Sequence, residues 1–425
     1  MQKIFDLIQK ETIRQREGLE LIPSENYVSK DVLKALGSIL TDKYSEGYPG
    51  KRYYGGNEFI DEIEREAQNL ANKVFGTVHA NVQPYSGSPA NLAVDLALVN
   101  PGDVIMGMSL ASGGHLTHGS NVSFTGKLFK AIQYGVDANG KIDFEEVRRL
   151  TGEHRPKIIW VGLTAYPYKL DFAKFREIAD GVGAYLAADI SHIAGLVATG
   201  QHQFPAPYVD VITTTTHKTL RGPRGAMILV TQRGLGKDPE LSEKIDKAVF
   251  PGMQGGPHEN NIAGIAIALN EALQPSYKSY IEQVVKNAKV LASELGVETE
   301  NHLMLLPVGD GMGYQAQIVL EFAGITVNKN TIPNESASPF YPSGIRLGTP
   351  ALTSRGMKEE DMKKVAEWIK RAIDETKGYD LPKQQDERAL FIKDLKLKVK
   401  NNQNLKKIKE EIRVFASNYP VPGVD

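Results

Sequence analysis

The chain has 425 residues, enough for two or three domains around a large buried core. With 41% hydrophobic and 24% charged residues and a formal net charge of -1, nothing in bulk points to nucleic acid or an anionic membrane as partner. There is no cysteine, which excludes disulfides, thiolate nucleophiles and thiolate metal sites, and fits a reducing cytosol.

Residues 1–40 read as a helical arm, broken at Leu21-Ile22-Pro23-Ser24-Glu25-Asn26. The arm lacks the apolar core of a signal peptide, and no run approaches the roughly 20 apolar residues of a membrane span. A soluble cytoplasmic protein is the expectation. The loop Tyr44 to Gly56 follows, with four tyrosines among charges and glycines. Such a loop is poor core material and suits a site or an interface.

From about residue 60 to 230, strand-length apolar runs alternate with helical patterns. The strand candidates are Val104–Met106, Lys157–Leu163, Tyr185–Asp189, Val209–Thr214 and Ala226–Val230, with a helix at Phe172 to Val182. Their continuous hydrophobicity suits a sheet covered on both faces. The class is therefore α/β: a mostly parallel wound sheet with helices on both faces, whose sites lie beyond the carboxyl ends of the strands. Residues 260–295 look helical. A smaller α/β C-terminal domain follows, with a strand at Gln317–Phe322, and Leu395, Leu397 and Val399 alternate with lysines like an edge strand. The domains are drawn as 1–40 for the arm, 41–275 for the large domain and 276–425 for the small one.

Asp189 closes one strand candidate, and Lys218 follows the threonine run that ends the next. An acid and a lysine at one sheet edge suit pyridoxal phosphate. That cofactor needs a lysine for its Schiff base and an acidic partner to keep its ring nitrogen protonated. Taken singly, the acid reads as a turn cap and the lysine as a phosphate or surface cation. Ser86-Gly87-Ser88-Pro89-Ala90-Asn91 opens a helix over Asn91 to Val99, either as an anion cradle or as a simple cap. Phe250 to Pro257 supplies a second glycine cluster, and neither loop is a dinucleotide or P-loop fingerprint. His115 and His118 stand three apart after a strand. No carboxylate stands at supporting sequence spacing, so no metal is expected. His115 suits stacking on a flat cofactor, while His118 reads equally as structural. Arg346 follows a turn and suits a bidentate grip on a substrate carboxylate.

These motifs together resemble serine hydroxymethyltransferase, a fold-type I pyridoxal-phosphate family. The carrying strings are Leu21 to Tyr27 (LIPSENY), Tyr44 to Gly56 (YSEGYPGKRYYGG), Ser86 to Asn91 (SGSPAN), Gly113 to Gly119 (GGHLTHG), Asp189 to Leu196 (DISHIAGL), Thr213 to Gly225 (TTTTHKTLRGPRG), Phe250 to Pro257 (FPGMQGGP) and Gly344 to Ala351 (GIRLGTPA). The resemblance implies pyridoxal phosphate on Lys218, with Asp189 at the ring nitrogen, His192 at the phenolic oxygen and His115 stacked on the ring. Ser86, Gly87 and Ser88 would bind phosphate, joined by Gly256 from a second subunit. Thr215 and Arg224 would position lysine and cofactor. Arg346 and Ser24 would hold the carboxylate of L-serine or glycine, and Tyr53 would join them at the substrate.

Glu46 would handle protons, with His217 and Tyr54 counted beside it among the catalytic residues. Tyr44 and Tyr54 would line the site across a homodimer interface, within a dimer or a tetramer. Leu110, Gly114 and Asn330 would contact tetrahydrofolate. The implied reaction moves the hydroxymethyl carbon of serine to that carrier. A folate-independent threonine aldolase and a catalytically silent scaffold are the alternatives. The sequence departs from the family pattern at Tyr85, Pro89, Ser191 and Tyr168.

Overall fold

A computed structural model of the chain describes residues 1–382, 384 and 386–425. Two compact units emerge, one of Val28–Ile281 and one that combines Met1–Tyr27 with Glu282–Asp425. The arm residues 1–27 thus group with the C-terminal part of the chain. The second boundary falls inside the helix Pro275–Leu295.

The Val28–Ile281 unit is organised by seven strands: β1 (His79–Asn81), β2 (Val104–Met108), β3 (Lys130–Tyr134), β4 (Ile158–Gly162), β5 (Tyr185–Asp189), β6 (Val211–Thr215) and β7 (Ala226–Val230). Their order across the sheet is β1-β7-β6-β5-β4-β2-β3. Only β7 runs antiparallel to its neighbours β1 and β6; the remaining pairs are parallel. Strands β4, β6 and β7 are buried at every position, as expected when helices cover both faces. One face packs Ile158, Trp160, Val211 and Ile228 against Ala90, Val94, Leu241 and Ile245 of flanking helices.

In the other unit, Gly344–Gly348 is the centre of a three-stranded antiparallel sheet between Leu303–Pro307 and Asn328–Asn330. Two sequence expectations fail here. Gln317–Phe322 is not a strand but the end of a helix, Gly313–Phe322. Its short apolar run carries no period that separates a buried strand from a buried helix turn. Leu395, Leu397 and Val399 lie in the helix Arg388–Asn401, whose buried residues are Ile392, Leu395 and Val399. That three-then-four spacing is helical, and Leu397 is exposed.

Candidate active site

Asp189 is the last residue of β5, and β6 ends at Thr215, three residues before Lys218. The two strands are parallel neighbours with Asp189 opposite Thr213, so acid and lysine segment leave the sheet at one carboxyl edge. Asp189 is buried and held from three sides. Oδ2 accepts Asn91 Nδ2 at 2.8 Å and pairs with His118 Nε2 at 3.2 Å. Oδ1 accepts the Ser191 N–H at 3.0 Å. Burial by itself pushes this carboxyl up. The His118 hydrogen bond and the electrostatic influence of His118, His115 and Lys218 outweigh it and hold Asp189 far below the usual carboxylate range.

His118 is the residue that the sequence left undecided. Its Nδ1 accepts the His115 backbone N–H at 3.2 Å. A backbone N–H only donates, so in the neutral ring the proton sits on Nε2 and points at Asp189. The ring is fully buried and stacks on Trp160 at 5.7 Å with an 8° tilt. The Trp160 indole in turn donates to Asp95 at 2.8 Å. Space for this stack is made by glycines. A Cβ on Gly107 would stand 2.6 Å from the His118 carbonyl, and one on Gly162 would stand 2.8 Å from His118 Cε1 and 2.7 Å from the Asp189 carbonyl.

His115, His118 and Asp189 bring their ligand atoms within 4.8 Å of one another. The carboxylate missing from the sequence spacing is therefore supplied by the fold. Hydrogen bonds already engage these atoms: Nδ1 of His115 lies 2.8 Å from the Thr117 hydroxyl and accepts the Thr117 N–H at 3.3 Å. A hydrogen-bonded relay describes the group better than a cation cage. Burial and the Lys218 charge act on both nearby histidines. His115 is pushed down to about 4 by burial first, with Asp189 partly opposing. His217 is pushed down to about 3 by burial, then by Lys218 and Arg224. Both rings are neutral near pH 7. His192 is buried, and its carbonyl accepts the Thr219 hydroxyl at 3.0 Å, which ties the turn after β5 to the lysine segment. Arg224 lies on the surface, with its carbonyl held by Asn261 at 2.9 Å.

The helix Gly87–Leu98 starts four residues earlier than the sequence suggested, with Ser86 extended at its N-cap and making no side-chain cap bond. Gly87 has a packing reason, since a Cβ there would meet the Thr215 methyl at 2.8 Å. The Ser86–Ser88 turn therefore borders the last residue of β6. Just upstream, Tyr85 donates to the Gly256 carbonyl at 2.7 Å and stacks on His258 at 4.3 Å.

A second cluster gathers the tyrosine loop. The Tyr44 hydroxyl lies 3.3 Å from Glu46 Oε1, and the Tyr44 and Tyr54 rings meet edge-on at 4.9 Å. Gly255 would place a Cβ 3.0 Å from Glu46 Oε1, and Gly256 one 3.3 Å from the Tyr44 ring. Tyr44, Tyr53 and Tyr54 are 53%, 77% and 47% exposed, so the loop packs only partly on its own chain. Arg52 fixes it: Nη1 donates to the carbonyls of Ser45 and Gly47, at 2.8 and 2.9 Å, on either side of Glu46. Asp61 and Glu64 anchor the same guanidinium at 2.8 and 2.6 Å. Below, buried Glu259 accepts the Ser45 hydroxyl. Sequence reasoning missed the roles of Arg52, Asn91 and Glu259: Asn91 and Glu259 act on Asp189 and Ser45, 98 and 214 residues away along the chain, and Arg52 acts on nearby backbone carbonyls.

Leu110 is exposed, and Gly114 turns so tightly that a Cβ would stand 2.0 Å from the Met108 carbonyl. Tyr168 is half-buried, with its ring 5.5 Å from Tyr166 and Lys141 over it at 5.2 Å.

In the other unit Arg346 is buried at the centre of the three-stranded sheet, its Nε donating to Asn328 at 3.1 Å. Burial pushes the guanidinium down to about 10. Two residues on, Gly348 donates to the Leu21 carbonyl at 2.8 Å and packs against Pro23. This brings the Ser24 turn to the end of the Arg346 strand. Asn330 sits on the edge strand, opposite Gly344.

The serine hydroxymethyltransferase family model matches residues 1–369. "Serine hydroxymethyltransferase 2" of Pseudomonas putida is 55% identical over 377 residues, covering 86% of this chain and 89% of that relative. "Serine hydroxymethyltransferase" of Acidothermus cellulolyticus is 50% identical over 434 residues, covering 99% and 96%. The mixed seven-stranded sheet between helices is the fold-type I arrangement of such proteins. From this family match and these identities, the chain belongs to the serine hydroxymethyltransferase family.

Proposed function

We propose that the chain catalyses reversible transfer of the hydroxymethyl carbon of L-serine to tetrahydrofolate, giving glycine and 5,10-methylenetetrahydrofolate, with pyridoxal phosphate held on Lys218. The observation that carries this reading is the Asp189 setting: an ionised, buried carboxylate at the strand edge that also delivers Lys218. A carboxylate offers about four acceptor positions. Three are used, and one remains on Oδ1 for a ring N–H. The Thr215 hydroxyl and His217 Nδ1 are buried without a hydrogen-bond partner, as groups awaiting a polar ligand would be. The residues fit the cofactor.

When bound, pyridoxal phosphate supplies the electron sink for the pair released as the serine Cα–Cβ bond breaks. Asp189 keeps the ring nitrogen protonated, and His118 and Asn91 keep Asp189 ionised and in place. His192 serves the phenolic oxygen. His115, neutral and partly buried, offers a flat apolar face to the ring. Ser86, Gly87, Ser88 and Thr215 bind phosphate, with Arg224 nearby, and Gly256 and Tyr44 arrive from a second subunit. Arg346 and Ser24 fix the substrate carboxylate, which orients the bond to be broken. Glu46 moves a proton at the substrate hydroxyl, flanked by Tyr53 and Tyr54, while His217 borders the lysine. Leu110, Gly114 and Asn330 face the pterin.

A homodimer with shared sites belongs to the same proposal. It is supported by the exposed tyrosines and by an open groove lined by Ala35, Leu40, Leu70, Ala266 and Ile267. So does a cytoplasmic location. No helix among the described residues is long and apolar enough to cross a membrane.

The test is serine turnover by purified protein with and without tetrahydrofolate, for wild type and Lys218→Ala. Glycine formation that needs the folate and is lost with the lysine is expected. Folate-independent cleavage of threonine without serine turnover would shift the reading to an aldolase. Failure of the lysine-bound absorbance band to appear on adding pyridoxal phosphate would make the chain a silent homologue.

A further inference from the structure

Ser191 is buried two residues beyond Asp189. Its backbone N–H donates to Asp189 Oδ1, and its hydroxyl oxygen accepts the Thr215 N–H, both at 3.0 Å. Main-chain pairing between β5 and β6 ends with Ile190 N–H on the Thr213 carbonyl at 2.9 Å. The Ser191 hydroxyl therefore adds one more rung, from a side chain, where the ladder stops. That rung holds the residue whose own hydroxyl is buried and unpartnered. It holds it beside the Ser86–Ser88 turn: a Cβ on Gly87 would stand 2.8 Å from the Thr215 methyl and 3.9 Å from Ser191 Oγ.

We propose that Ser191 is a positioning residue for the phosphate end of the cofactor site. Its hydroxyl fixes the Thr215 backbone, so that the Thr215 methyl packs on the phosphate turn at Gly87 and the buried, unpartnered Thr215 hydroxyl is left for the phosphate. The inference rests on the reading of Lys218 as the pyridoxal-phosphate lysine. Its consequence is selective. Loss of the Ser191 hydroxyl weakens the grip on phosphate while leaving ring and aldehyde recognition in place.

The experiment compares wild type, Ser191→Ala, Thr215→Val and the double variant. Each is titrated, cofactor-free, with pyridoxal phosphate and with pyridoxal, which has the same ring and aldehyde but no phosphate. Visible absorbance of the lysine-bound form gives the dissociation constants. Ser191→Ala is expected to weaken pyridoxal phosphate by about tenfold, one hydrogen bond's worth, and pyridoxal by less than about twofold. In the Thr215→Val background, Ser191→Ala is expected to add less than about twofold, because it acts through that threonine. Equal weakening of both ligands, no weakening of either, or a full tenfold loss in the double variant overturns the proposal. A wild type that captures pyridoxal phosphate with any of these outcomes leaves the function intact. A wild type that captures neither ligand overturns the Lys218 reading and this inference together.

Discussion

His118→Asn separates the relay from the ring that carries it. The asparagine amide oxygen can take over the role of Nδ1, accepting the His115 N–H that now lies 3.2 Å away. It is too short to donate where Nε2 now meets Asp189 at 3.2 Å. A hydrogen bond to a charged group contributes about 1.5–3 kcal/mol. Its loss is therefore worth about 10- to 100-fold, at about 1.4 kcal/mol per factor of ten. Asp189 is buried, and burial is the largest influence on its carboxyl. With the main opposing donor removed, that carboxyl rises and its hold on a protonated ring nitrogen weakens, most of all in acid. The expected result is a 10- to 100-fold weaker cofactor dissociation constant, read by visible absorbance, with a kcat that falls more steeply toward acid pH than in wild type. His118→Gln, whose amide nitrogen reaches about as far as Nε2, is expected to recover most of the loss. An asparagine variant within about twofold of wild type, or a glutamine variant equally impaired, would refute the relay.

Three further outcomes follow from the geometry. Burial pushes Glu259 up to about 7, with the Ser45 hydrogen bond only partly opposing. The folded chain thus keeps a proton that the unfolded chain sheds near pH 4.3, and stability falls between roughly pH 4.3 and 7 and then levels. Glu259→Gln should flatten that slope, gaining up to about 3 kcal/mol over wild type at pH 8 relative to pH 5 in denaturant unfolding; parallel curves would contradict it. Arg355 is buried and donates to the carbonyls of Gln15, Arg16, Gly18, Ala416 and Tyr419 at 2.7–3.1 Å. Arg355→Met should cost about 3 kcal/mol or more in the same assay, and a loss under about 1 kcal/mol would show those carbonyls re-satisfied. Gly162→Ala, whose Cβ would stand 2.7 Å from the Asp189 carbonyl, should lower cofactor affinity by at least about tenfold, and unchanged affinity would mean that β4 can shift.

What the sequence made legible was whatever the chain writes locally. Asp189 and Lys218 could be placed together because one closes an apolar run and the other follows the threonines that end the next, and adjacent parallel strands end at one edge. The glycines of Ser86–Ser88 and Phe250–Pro257 announced backbone-lined turns for the same reason. Gln317–Phe322 failed because a short apolar run is compatible with either structure, and only the packing around Ile318, Val319 and Leu320 selects the helix. Its period is too short to read.

The undecided histidine is the more instructive case. His118 lies 71 residues from Asp189 in the chain. Its function depends on Gly107 and Gly162 leaving room for the ring and on the His115 N–H choosing the tautomer. None of these is a spacing rule. The same holds for Arg52, which holds the carbonyls on either side of Glu46 while Asp61 and Glu64 on the next helix anchor it in place. Groups that touch a ligand must present a fixed chemistry at a fixed point, so they fall in short, recognisable strings. Groups that hold them need only fit the space left, and can be drawn from any strand or helix that the fold brings near. In this chain Asn91, His118 and Ser191 all act on Asp189 from different elements. Each stands in a recognisable string, yet only the fold brings all three onto one carboxylate, whose ionisation is therefore a property of their meeting at the sheet edge rather than of any single motif.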